Sequence, residues 1–190
     1  MDPFEKIPPE LIRQIILYTA DFATVENVIS VSPHIFAVLQ AHLTITRDLI
    51  LDNPITSLPE MQRLCYNIAL INSPLTHIVD LPDYQQSCEG TPSFSDEQSL
   101  CLIQTAAQIQ RLACACLSLI QRNLVSAVEH LPASSINGPE RAIKAVEPFS
   151  WIEEYRVYWS LWHLRHYSDL RKAATQHWSW SESSVHGLDA

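Results

Sequence analysis

Glycine occurs only three times in this 190-residue chain, at Gly90, Gly138 and Gly187. An average chain of this length carries about 13. Neither GxGxxG nor GxxxxGK[ST] can be written with these three positions, so the glycine-rich phosphate loops are excluded. Tight β-hairpins, which use glycine at positive φ, are also poorly served. Twelve prolines do the punctuating instead. The expectation is an all-α protein. Its 47% hydrophobic and 17% charged residues supply a core and argue against a disordered chain.

The net charge is −9, and residues 1–53 hold seven acidic side chains against three basic ones. No stretch forms a basic stripe, so nucleic acid has no electrostatic footing here. The acidic front also disfavours an anionic membrane surface. The longest apolar run, residues 100–131, is broken by Gln104, Gln108, Gln110, Arg111, Gln121, Arg122 and Asn123. These interruptions argue against a simple transmembrane span. The opening Met-Asp-Pro-Phe-Glu-Lys has no apolar h-region, so no leader is expected and the location is cytoplasmic and/or nuclear. Five cysteines, with no CxxC, read as reduced thiols.

Pro8-Pro9 opens a first helix carrying Leu11, Ile12, Ile15, Ile16 and Tyr18. Thr24 can cap a second helix with Val25, Val28, Ile29 and Val31. Ser32-Pro33 starts a third that runs through Ile35, Phe36, Leu39, Leu43, Leu49 and Ile50 to Asn53-Pro54. Ser57-x-x-Glu60, Ser95-x-x-Gln98 and Ser150-x-x-Glu153 are capping-box patterns. They introduce helices ending near Asn72, Leu131 and Ala174. Residues 73–95 read as a long loop with a small apolar patch at Ile78, Val79 and Leu81, and 132–139 as a connector. The 97–131 helix is apolar on more than one face, which predicts a central position.

Chemistry-bearing groups are sparse. His163 and His166 lie one turn apart, but zinc needs three or four ligands and none is added on that face. Cys114 and Cys116 face apart on a helix and read as small core residues. Glu153-Glu154 suits the positive end of a helix without invoking catalysis. No metal, no cofactor and no enzymatic activity are expected.

All five tryptophans fall in the last forty residues. Ile152, Tyr155, Trp159, Trp162, His166 and Leu170 recur at helical spacing and predict a core stripe. Tyr158, Leu161 and Arg165 lie on a second face. Two readings follow: that face contacts a substrate, or the helix is buried all round.

The order Ile-Pro-Pro-Glu-Leu-Ile-Arg-Gln-Ile-Ile-Leu-Tyr from Ile7 to Tyr18 is greasier than one core requires. Together with Val25 after an Asp21-x-x-Thr24 turn, then Val28, Val31, Ser32, Pro33, Phe36 and Leu39, it resembles an F-box of the form common in fungal-type F-box proteins. The resemblance covers about residues 4–50. The family more often has leucine at the position of Val25 and an aromatic, often tryptophan, near Phe36. Arg156, Trp162 and Tyr167 echo an aromatic helix downstream in such proteins.

The resemblance implies docking on the Skp-type adaptor of a cullin–RING (SCF-type) ubiquitin ligase. The adaptor face would be Ile7, Pro8, Leu11, Ile12, Ile15, Val28, Ser32 and Phe36. The remainder would recruit an unknown protein substrate. The implied organisation is an F-box-like helical unit at 1–53 and a helical region at 54–190, possibly one continuous domain. The alternative is a helical interaction protein whose degenerate F-box does not bind the adaptor. A further alternative is a helical domain that uses its aromatic cluster on a small molecule.

Overall fold

The computed structural model describes residues 2–19, 21–42, 44–71, 95–130, 138–176 and 178–181. Among them are eight helices and no strand, so the fold is all-α. They are α1 (Pro9–Thr19), α2 (Phe22–Val31), α3 (Pro33–Ala41), α4 (Thr44–Asp52), α5 (Pro59–Ile71), α6 (Asp96–Glu129), α7 (Gly138–Val146) and α8 (Trp151–Gln176). Ile78, Val79 and Leu81 lie outside the described residues, as does the connector up to residue 137.

The helix starts follow from local chemistry. Asp21, not Thr24, caps α2: its carboxylate accepts from the Ala23 N–H and the Thr24 hydroxyl. Burial alone would raise the Asp21 carboxyl, but hydrogen bonds from Thr24, Ala23 and Gln110 outweigh it and hold it below its ordinary value. Ser32 closes α2 and opens α3, accepting from the Ile35 N–H at 3.1 Å. The Ser95 box is complete in both directions. At Ser150 the Glu153 carboxylate reaches back to the N–H at 2.8 Å and the hydroxyl at 2.6 Å. The Ser57 pattern works differently: its hydroxyl donates to the Pro54 carbonyl, and Gln62 rather than Glu60 reaches back to the Ser57 carbonyl.

The third expected helix is two. His42 leaves the helical region (φ −131°, ψ 71°) and separates α3 from α4. The break turns α4 onto α1 and α5, so that Ile45, Leu49 and Ile50 become fully buried. No proline or glycine marks this corner, and the apolar spacing continues across it.

One core cluster extends from Ile12 and Ile16 through Val25, Ile35, Ile50, Met61, Ile68 and Ile103 to Trp162. It therefore draws on both 1–53 and 54–190. The first half of α6 is central, packed against α2, α5 and α8, and buried at Leu102, Ile103, Ala106, Ala107, Ile109 and Ala113. Its second half is not: Leu119, Ile120 and Leu124 are exposed, with α7 alongside. By length and composition α6 could cross a membrane, in spite of its polar interruptions, but its first half is built into the helical core.

Cys65 is fully buried, and burial pushes its thiol far above the ordinary range. Cys65, Cys101, Cys114 and Cys116 are all free thiols. Cys114 is exposed and Cys116 half-buried, so this pair is not the core element expected of it. Cys88 lies outside the described residues.

The chain leaves α8 through Ser179, whose φ of 51° lies in the left-handed region. The Trp178 N–H returns to the Ala173 carbonyl at 2.9 Å, five residues back. This brings Trp178 onto a small cluster of Ile71, Leu170 and Ala173, so the start of the polar tail is anchored.

Candidate functional site

Helix α1 has two apolar faces. Ile12 and Ile16, one turn apart, are buried in the core. Leu11, Ile15 and Tyr18 continue along a different face and are 49%, 48% and 86% exposed. With Lys6, Ile7, Pro8, Gln14 and Thr19 they line an open, mainly apolar depression of about 640 Å³.

The helix carrying this face is held firmly. It packs on α4, α3 and α2. Arg13 pairs with Asp48 on α4 at 2.9 Å. The segment before it is pinned to the start of α3. The Asp2 carboxylate accepts from the Ser32 hydroxyl at 2.7 Å and from the His34 N–H at 3.1 Å. His34 Nε2 lies 3.2 Å from the Ile7 carbonyl. The Ser32 bond, followed by that from the Phe4 N–H, holds the Asp2 carboxyl below its ordinary value.

The eight residues expected on the adaptor face separate into groups. Ile7, Pro8, Leu11 and Ile15 meet around the depression. Ile12 and Ser32 are a correction: both are fully buried, Ile12 in the core and Ser32 spent on capping and on Asp2. Their side chains have no free surface to offer. Val28 and Phe36 are half-buried and packed against the core. Tyr18 joins the exposed face and was not among the expected residues, although it stands seven positions from Leu11, two turns along the same side.

The second expected surface, Tyr158, Leu161 and Arg165, is half-buried. Tyr158 and Leu161 pack against the core cluster. Arg165 donates to Asp169 at 2.8 Å and to Gln108 of α6 at 3.2 Å. Tyr158, through Cys114, and Arg165, through Gln108, face the protein's own α6. Burial, followed by the nearby Cys114 and its hydrogen bond, drives the Tyr158 hydroxyl well above its usual range. The outward side of α8 carries Ile152, Trp159 and Leu164 instead, with the Trp159 and His163 rings 4.0 Å apart.

Burial lowers the pKa of His163 and of His166 below the usual 6.5, since it disfavours the imidazolium. On acidification from about pH 7 to pH 5 the unfolded chain takes up protons that the folded chain resists. Stability is therefore expected to fall with pH in this window. Chemical denaturation of the H163Q/H166Q variant should show a shallower fall than that of the unaltered chain; identical slopes would remove the histidines as the cause.

No family model, curated protein or solved structure matches this chain.

Proposed function

We propose that the exposed face of α1, with the Ile7-Pro8 entry to it, docks on a Skp-type adaptor, and that the chain serves as a substrate-recruiting subunit of an SCF-type ubiquitin ligase. The role is non-catalytic: it brings a bound protein near a ubiquitin-charged partner, in the cytoplasm and/or nucleus. The observation that carries this reading is the exposure of Leu11, Ile15 and Tyr18 on a helix whose other face is already committed to the core. Apolar side chains gathered on one rigid helix face are a usual sign of a partner surface. The resemblance of residues 4–50 to an F-box names the partner.

The test is direct binding of the purified full chain to a purified Skp-type adaptor, read by calorimetry and size-exclusion chromatography. A stoichiometric complex with Kd on the order of 1 μM or tighter is expected. Absence of a complex at about 100 μM of each protein would sink the reading.

A further inference from the structure

A second cavity, of about 230 Å³ and more enclosed than the first, lies among α2, the turn after α4, α6 and α8. Its aromatic lining is Phe22, Trp151, Tyr158 and Trp162. The volume is below the roughly 300–1,000 Å³ of pockets for drug-sized ligands, which suits a fragment the size of one side chain.

The polar groups around it are nearly all committed. Asn53 Oδ1 accepts from the Ile55 and Thr56 N–H groups, and the Thr56 hydroxyl donates to the Ile50 carbonyl. Gln110 accepts from the Ala23 N–H and bonds to Asp21. The Tyr158 hydroxyl bonds to Cys114. Among the carboxylates, amides and hydroxyls lining the cavity, Glu154 is the one whose side chain has no hydrogen bond or ion pair among the described residues. It is not needed at the helix start either, because Glu153 fills that role. Glu154 and Asp21 both act on Tyr158 as negative charges, so the field at the cavity is negative.

We propose that this cavity binds a small organic cation, a guanidinium or alkylammonium group, with Glu154 as its counter-ion and the rings of Trp151, Tyr158 and Trp162 around it. Aromatic rings attract such cations, more so when water is excluded, and a facing carboxylate adds charge-assisted hydrogen bonds. The cation is either an arginine or lysine side chain of a bound peptide or a free amine. The site holds whether or not α1 docks an adaptor, since no α1 residue lines it.

The test is an NMR titration of the full chain, following the indole N–H signals, with three probes. They are Nα-acetyl-arginine methylamide, its uncharged norleucine counterpart, and agmatine. The arginine probe should shift the Trp151 and Trp162 signals, and the norleucine probe should not. E154Q should bind the arginine probe at least about tenfold more weakly with an unchanged circular dichroism spectrum. Tighter binding of the capped arginine than of agmatine assigns the cation to a peptide, and the reverse assigns it to a free amine; either supports the site. Equal binding of norleucine, unchanged affinity in E154Q, or no shift with probe on the order of 10 mM would overturn it. A chain that fails to bind adaptor yet binds the arginine probe separates this site from the role proposed for α1.

Discussion

Trp162→Ala should cost about 3–5 kcal/mol, whereas Trp159→Ala, one turn away on the same helix, should cost about 1 kcal/mol. Trp162 is 1% exposed and belongs to the main core cluster. Its removal loses both the burial of a large ring and the contacts that line the resulting void. Trp159 is 38% exposed, and its described ring contact is with His163. Against a total of about 5–15 kcal/mol, the first loss removes a large part of the stability. In a chain of this size it corresponds to a fall in Tm of about 6–20 °C. Tyr158→Ala, half-buried against α6, should fall between the two. Denaturation midpoints of the three variants check this. Equal losses at Trp159 and Trp162 would mean that α8 is buried on both sides, contrary to its exposed Ile152 and Leu164.

The phase of α8 shows where sequence periodicity stops. Tyr155 and Trp162 are neighbours of Trp159 at i−4 and i+3, and of Tyr158 at i−3 and i+4. Both choices complete a stripe of helical spacing. Only the position of α6, which places Gln108 beside Arg165 and the α6 core beside Tyr158, selects the second. The same limit appears in α6. Its apolar text continues past Ala113, yet the helix outruns the bundle and leaves Leu119, Ile120 and Leu124 exposed. Periodicity reports which face is greasy and not how far the neighbours extend.

Local signals were far more legible. Ser32-Pro33 and the Ser95 box place helix starts because capping is settled within four residues. The corner at His42 escaped since nothing in its side chain demands it; packing of α4 does. The greasy character of α1 was readable, while the division of its residues between core and surface needed the direction in which α3 and α4 approach. The cavity at Glu154 was not readable at all. It joins residues more than a hundred positions apart, and the sequence offered only a helix-start reason for that carboxylate.

That division within α1 predicts opposite outcomes for adjacent residues. Ile12→Ala should cost about 2–5 kcal/mol, the range for a truncated core isoleucine, because the side chain is enclosed by the core cluster. Pro8→Ala combined with Leu11→Ala should change stability by about 1 kcal/mol or less, since both side chains are exposed and border the depression. The Pro8 carbonyl still accepts from the Leu11 and Ile12 N–H groups after substitution, so the start of α1 is preserved. Adaptor affinity should follow the reverse order. The double variant should lose at least about 30-fold, corresponding to a binding hot spot of about 2 kcal/mol. Ile12→Ala, assayed at a temperature where it remains folded, should bind nearly as well as the unaltered chain. Calorimetry with the adaptor, set beside a denaturation curve for each variant, gives both axes. A double variant that unfolds would return Pro8 and Leu11 to the core. One that stays folded and binds undiminished would move the adaptor contact away from α1.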